Sequence, residues 1–235
     1  MITVTLQRPW LIARLPRAMR VLSWAPYGAG YRQTDTILWR EVRNSDLSLD
    51  FDADRWTRDQ IADAGHGRDA VLMLTSRDIG AWVARSARVG GITASCVVTA
   101  GLSNAESVGR RLPWHSADGP EVDGPEGQGG YGTINMAVAT DAALTKAAQL
   151  EALSIAVQAR TVAVMAAGVE LATGLATGTG TDCVALACDP GRARYAGLHT
   201  EVGEAIGAAV REAATVAVND WVRWRATKRA QAADA

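Results

Sequence analysis

Cysteine is scarce. Cys96, Cys183 and Cys188 are three in 235 residues, an odd number in a chain large enough to bury a core of its own. No disulfide framework is therefore expected, and a reducing, cytoplasmic setting is. Histidine is equally thin: His66, His115 and His199 lie far apart and no His-Glu-x-x-His occurs, so spacing yields no zinc site and no protein-bound metal is expected. An excess of charge of one sign is missing too. Lys and Arg number 24 against 25 Asp and Glu, a net charge of −1, which removes the electrostatic footprint of a nucleic-acid binder. Long apolar runs are absent. Trp10 to Ala13 is bracketed by Arg8 and Arg14, which excludes a secretory signal, and the best candidate span, 155–169, is broken by Gln158 and Arg160. No membrane insertion is expected. Gly-x-Ser-x-Gly does not occur, Gly28-Ala29-Gly30 and Gly178-Thr179-Gly180 lack the third glycine of a dinucleotide loop, and no Lys-Ser/Thr completes a phosphate loop. A hydrolase elbow and nucleotide cofactors are excluded by those gaps.

What remains is ordinary globular material, 48% hydrophobic and 21% charged, which suits one domain over residues 1–235. Thr3 to Leu6, Trp10 to Leu15 and Met19 to Trp24 read as short strands separated by Pro9 and Pro16. Residues 54–64 predict a helix capped by Asp52 or Asp54. Ala70 to Leu74 and Ile92 to Val98 are continuous apolar runs and predict buried strands, with a helix over 79–89 between them. Residues 103–131 carry Gly, Pro and acidic residues without periodicity and predict a long loop, a lid or plain disorder. Strand character returns over 132–140, with Asn135 on the face of the small residues. A long helix is expected over 142–167, capped by Thr140 or Asp141 and closed by Gly168. Its polar members Glu151, Ser154, Gln158 and Thr161 form one narrow stripe, a solvent edge or a ligand-lining edge. Residues 183–187 predict a buried strand. A last helix is expected over 197–225, with a basic tail from about 223 to 235 that complements the helix dipole. The fold class is α/β (α+β-like), with a mixed β-sheet formed mostly by the N-terminal two-thirds and packed by long C-terminal helices. The alanine-rich faces of those helices fit a core or a subunit interface equally well, so a homodimer is among the expectations.

Four segments hold polar groups where chain geometry offers them to a ligand. Thr99 to Glu106, with Ser103 and Asn104, leaves a buried strand, and strand ends are where open α/β sheets place ligands. Its alternative is a turn capped by Ser103 and Asn104. Gly132-Thr133-Ile134-Asn135 puts an amide on a small-residue face, available to a ligand or satisfied by neighbouring backbone. Ala176-Thr177-Gly178-Thr179-Gly180-Thr181-Asp182 is the least ordinary: its glycines allow close backbone approach, its threonines supply hydroxyls and Asp182 adds a carboxylate. Tyr195 to Glu201 places His199 at a helix start, as an acid/base or as part of a capping turn.

In this order and spacing, the four segments resemble the adenosylcobinamide amidohydrolase family, as does the turn from Ser23 to Gly30. The resemblance covers most of residues 20–215, and 176–182 is its most specific part. Two positions depart from the family pattern, which has an Asn near Trp39 and a Glu where this chain has Gln158. The resemblance implies hydrolysis of the amide joining the corrin f side chain to aminopropanol in adenosylcobinamide, a corrinoid salvage reaction. The corrinoid is then the partner, its cobalt enters with the substrate, and the protein holds no cofactor of its own. Amide hydrolysis needs an activated nucleophile, donors for the oxyanion and an acid for the amine. Asp182 or Glu106 is the candidate base. Asn104, Asn135 and the amides of Gly178 and Gly180 are candidate oxyanion donors, and His199 is the candidate acid. Thr133 or Thr179 as nucleophile is the competing mechanism. Ser103, Thr133, Thr177, Thr179 and Thr181 complete the expected substrate-binding lining. Of eight tryptophans, one or two are expected to stack on ligand, Trp114 first among them.

Overall fold

The N-terminal chain is built of long, bent strands. The computed structural model describes residues 1–42, 52–112 and 132–233. Strand β1 (Thr3–Gln7) pairs antiparallel with the first part of β2 (Trp10–Ser23), and β3 (Gly30–Glu41) returns along the other edge of β2. Helix α1 (Ala53–Asp63) is capped by Asp52, whose carboxylate accepts from the Arg55 amide at 3.0 Å. Then come β4 (Val71–Thr75), one tight helical turn at Ile79–Ala81, β5 (Val83–Val89), β6 (Ile92–Ala100) and the short β7 (Ala105–Glu106). Strand β8 (Ile134–Leu144) leads into α2 (Lys146–Ala166). Three two-residue strands follow, β9 (Glu170–Leu171), β10 (Gly174–Leu175) and β11 (Gly178–Thr179), then β12 (Cys183–Pro190) and α3 (Glu201–Ala233).

Eight strands form a mixed sheet in the order β4-β3-β2-β12-β8-β6-β5, with β1 added on β2. The pairs β12–β8 and β3–β4 are parallel and the rest antiparallel. One edge of β2 is shared: residues 10–14 bond β1, whereas residues 20–23 bond β12. Between Arg14 and Met19 the register against β3 slips, and the exposed Pro16 sits in that slip, where its missing N–H costs no ladder bond. The two strands expected on either side of Pro16 are thus a single strand of 14 residues with an irregularity inside it.

The division of β2 lets part of the sheet lie over the rest. Leu11, Ala13, Ile37, Trp39 and Met73 from the β1–β4 side pack against Val97, Ala137, Ala139, Ala185 and Ala187 of β6, β8 and β12. The opposite face of β6, β8 and β12 is covered by α2 and α3. Beyond the β2–β4 part, Ile61 of α1 packs on Trp10, Ile12, Leu38 and Leu72. The helix pair meets through small residues: Ala148, Ala152 and Ala156 on α2, and Ala205, Ala209, Ala213 and Ala217 on α3, are all buried in the core. Their four-residue spacing places each set on one helix face, and the absence of long side chains lets the axes approach. The alanine faces are therefore core rather than subunit interface.

Three boundaries differ from expectation. Residues 79–89 are a turn and a strand, not a helix. Val83, Arg85, Ala87 and Val89 alternate inward, and Arg85 reaches Glu212 of α3 at 3.0 Å, so a charged residue occupies an inward position. Strand β8 continues to Leu144 and Thr145 caps α2, because Thr140 still pairs with Ala94 and Asp141 accepts from the Thr93 amide. Helix α3 starts at Glu201, with the Thr200 hydroxyl accepting from Gly203, and runs through the basic segment to Ala233. The loop expected over 103–131 contains β7, and its remainder over 113–131 lies outside the described residues. Among the described residues no helix is long and apolar enough to cross a membrane.

Ala152→Leu adds three carbons at a fully buried position between α2 and its neighbours. Chemical denaturation is expected to show a loss of about 1–3 kcal/mol, typical of an overpacked core.

Candidate active site

The end of β6, the beginnings of β8 and β12 and the end of β2 share one edge of the sheet, as the registers Ala100↔Ile134, Cys183↔Asn135 and Ala185↔Ser23 require. The chain leaving β6 forms β7, which pairs with β11 through Glu106↔Gly178 and Ala105↔Thr179. That small ladder brings the 99–106 segment onto the Gly/Thr segment 176–182. Gly132 completes the junction: a Cβ there would stand 2.7 Å from the Gly101 carbonyl oxygen, so only glycine lets the two segments pass.

Asp182 organises this edge. Its carboxylate accepts from the Ile134 amide at 2.9 Å, the Thr179 amide at 2.9 Å and the Thr179 hydroxyl at 2.5 Å, and Arg160 of α2 stands 3.1 Å away as an ion-pair partner. The two side chains are only 6% and 11% exposed. The main-chain carbonyl of Asp182 accepts from the Trp24 indole at 2.7 Å, and the Thr181 carbonyl accepts from the Thr133 hydroxyl at 2.9 Å. Gly178 must lack a side chain, since a Cβ would lie 2.6 Å from the Asp182 carboxylate and 3.2 Å from the Arg160 guanidinium. Here glycine makes room for an internal ion pair rather than for a ligand.

Around this core lie the groups left open. The Asn104 amide donates to the Thr181 hydroxyl at 3.3 Å, while its carbonyl oxygen is buried without a partner among the described residues. The Asn104 main-chain oxygen takes the Gly180 amide at 3.3 Å, so that amide is committed. Glu106 accepts from the Leu112 amide through one carboxylate oxygen at 3.2 Å, and its main-chain oxygen holds Thr177. Thr177 in turn accepts from the Val108 amide at 2.8 Å. Asn135 is fully buried and faces the small residues, as its alternation predicts; its amide donates to the Leu74 carbonyl at 2.8 Å and its oxygen accepts from Thr133 at 3.3 Å. Ser103 is half-buried beside Gly132.

His199 is not brought to this cluster by any hydrogen bond. It is exposed in the turn before α3 and lines an open groove of about 550 Å³ with Glu151, Ser154, Gln158, Tyr195 and Leu198. Glu151 accepts there from the Ala196 amide at 2.7 Å. The polar stripe of α2 thus lines a groove while keeping Ser154 and Gln158 exposed. Trp114 lies outside the described residues. Two participants were not anticipated from the sequence. In the sequence Arg160 only interrupts an apolar run, and Trp24 ends a strand inside the Ser23–Gly30 turn; neither position by itself signals a contact with Asp182.

A family model described as adenosylcobinamide amidohydrolase matches residues 2–226. The chain belongs to that family. A relative from Halobacterium salinarum, named adenosylcobinamide amidohydrolase, is 35% identical over 162 residues, 67% of this chain and 63% of the relative. The alignment thus spans less than two thirds of that relative's length. The crystal structure of the PH0078 protein from Pyrococcus horikoshii OT3 superposes with a TM-score of 0.42 at 12% identity, over 91% of this chain and 77% of the other. Within the amidohydrolase family pattern, the two departures have different surroundings here: Trp39 is a fully buried core residue, whereas Gln158 is exposed in the His199 groove.

None of the three cysteines offers this family member a nucleophile. All are free and buried, and burial raises each thiol's pKa; that of Cys183, beside Asp182, is pushed up to about 12. In the folded protein all three thiols are harder to deprotonate than a free thiol. Iodoacetamide at about pH 8 is expected to label none of them in native protein and all three after unfolding, counted by intact mass.

Arg160→Met leaves the Asp182 carboxylate buried without its cation. A loss of about 3–5 kcal/mol in denaturant unfolding is expected, with much of it recovered when Asp182→Asn is added to the same chain.

Proposed function

We propose that this protein hydrolyses the amide between the corrin f side-chain carbonyl and aminopropanol in adenosylcobinamide, giving adenosylcobyric acid and 1-amino-2-propanol. Family membership supports the reaction. The observation that carries its location is the Gly/Thr segment, held by the Asp182–Arg160 pair against the strand ends, with Asn104, Glu106 and Thr181 around it. The corrinoid is the substrate and brings its own cobalt, the role is corrinoid salvage, and the three free cysteines support a cytoplasmic setting.

The chemistry divides among these groups according to which are already engaged. Asp182 has its lone pairs occupied by four donors, one of them a guanidinium, and serves as a positioning residue. Glu106 has one oxygen committed to a backbone amide and takes the role of general base. It draws a proton from water as the oxygen attacks the carbonyl carbon. The oxyanion is met by the Asn104 amide, which in the free protein donates to the Thr181 hydroxyl; that hydroxyl in turn donates to the Gly132 carbonyl at 3.3 Å and holds the segment in place. The tetrahedral intermediate collapses, the C–N bond breaks, and Glu106 returns its proton to the departing amine. His199 has no part in this sequence.

A second reading rests on one contact. The Thr179 hydroxyl donates to Asp182 at 2.5 Å, the hydroxyl–carboxylate pairing that a threonine nucleophile requires. An acyl-enzyme detected by mass during turnover, and abolished in Thr179→Val, would establish that route.

Incubation of the purified protein with adenosylcobinamide is expected to release free 1-amino-2-propanol, detected by mass spectrometry. Glu106→Gln is expected to lower kcat by about 100-fold or more, the scale of a lost general base, with corrinoid binding retained. Binding without release of the amine in the unaltered protein would make it a corrinoid-binding protein instead.

A further inference from the structure

Buried polar side-chain atoms in folded proteins almost always have partners, and exceptions call for an explanation. Six such atoms lack one among the described residues. Four of the six belong to the edge just described: Asn104 Oδ1, Thr99 Oγ1, Arg160 Nε and Arg77 Nε. Arg77 is the one that no sequence motif singled out. It follows β4, and a Cβ on Gly101 would lie 3.5 Å from the Arg77 Cβ and 3.6 Å from the Thr133 amide nitrogen, which puts Arg77 at the junction of the 99–106 and 132–135 segments.

The Arg77 guanidinium carbon stands 4.9 Å from the ring centre of Trp224, which is 46% exposed. The course of α3 explains how a residue so late in the chain arrives here. Glu201 lies against Gly90 in the β5–β6 turn, and Glu212 pairs with Arg85, whose cross-strand neighbour is Cys96. From Glu212 to Trp224 the helix rises about 18 Å, and from Cys96 to Ala100 the strand advances about 13 Å. Trp224 therefore comes level with the residues just beyond Ala100. Trp24, tied to the Asp182 carbonyl on the β2–β12 side, is 43% exposed. These are the two exposed tryptophans among the described residues, and they flank the same edge from opposite sides. With strands about 4.8 Å apart and β12 and β8 between them, the ends of β2 and β6 lie about 14 Å apart along this edge.

Arg77 has nearby carboxylates but no claim on them. Asp78 is held by Arg8 at 2.6 Å and Asp220 pairs with Arg223. Partial burial lowers the Arg77 pKa against the pull of both. A guanidinium whose Nε has no partner among the described residues, backed by an indole, is suited to a flat ligand rimmed with carbonyl oxygens.

We propose that Arg77, stacked on Trp224, is a specificity-determining residue that binds a side-chain amide carbonyl on the corrin rim while the indole packs against the ring edge. This rests on the corrinoid reading above. Steady-state kinetics on adenosylcobinamide with Arg77→Met, Trp224→Ala and Trp224→Phe test it, alongside thermal unfolding of each. Expected are a KM, or a Kd by calorimetry, raised about tenfold in Arg77→Met and Trp224→Ala, with the loss falling on KM rather than kcat, and recovery in Trp224→Phe. An unchanged KM in Arg77→Met and Trp224→Ala would overturn the proposal, as would a loss of activity that follows lowered thermal stability and is not restored by Trp224→Phe. If the unaltered protein neither cleaves nor binds the corrinoid, the functional reading itself falls; if it does and only the variants fail to respond, this inference alone is lost.

Discussion

Asp182 and Arg160 are charged side chains removed from water, each costly to bury alone and tolerable only together. Their pairing joins four pieces of chain. Arg160 belongs to α2, Asp182 to the turn before β12, the Ile134 amide to the start of β8, and Thr179 to the short strand that docks on β7. Through its own carbonyl Asp182 also holds Trp24 at the end of β2. A carboxylate can accept several hydrogen bonds at once, so one residue can fix the relative positions of loops that share no regular ladder. The cost is that all of this carboxylate's hydrogen-bonding capacity is spent on holding the chain together.

The sheet makes this edge accessible on one side and supported on the other. Because β2 divides its edge between β1 and β12, the β1–β4 part covers one face of β6, β8 and β12 while α2 and α3 cover the other. The strands in the middle carry alanine at Ala137, Ala139, Ala185 and Ala187, which brings the layers close enough for Asn135 to reach the Leu74 carbonyl. Asn135 then serves the joint between layers. The strand ends emerge between two covered faces, and only their connecting segments meet solvent.

Much of this was legible from local pattern. The runs over 70–74, 92–98 and 132–140, the α1 segment with Asp52 at its start and the long alanine-rich helix all report on short-range periodicity, which survives without knowledge of the fold. The helix expected over 79–89 failed because Val83, Ala87 and Val89 follow the two-residue period of β5, with the partly exposed Arg85 on the same face pairing with Glu212. The division at Pro16 failed because a proline forbids a ladder bond but does not forbid a strand whose register slips at that point. His199 sits in a motif that carries the family resemblance, yet the turn before α3 places it in the groove with Gln158.

The sequence by itself determined the family, through four short polar segments in fixed order, and the secondary structure wherever neighbouring residues agree on a period. Tertiary structure alone decided what each polar group is free to do. Hydrogen-bond capacity is finite and a buried charge must be matched, so whether a carboxylate acts as an anchor or a base depends on which distant side chain reaches it first. For Asp182 that side chain is Arg160, whereas Glu106 forms no ion pair among the described residues and instead accepts from the Leu112 amide.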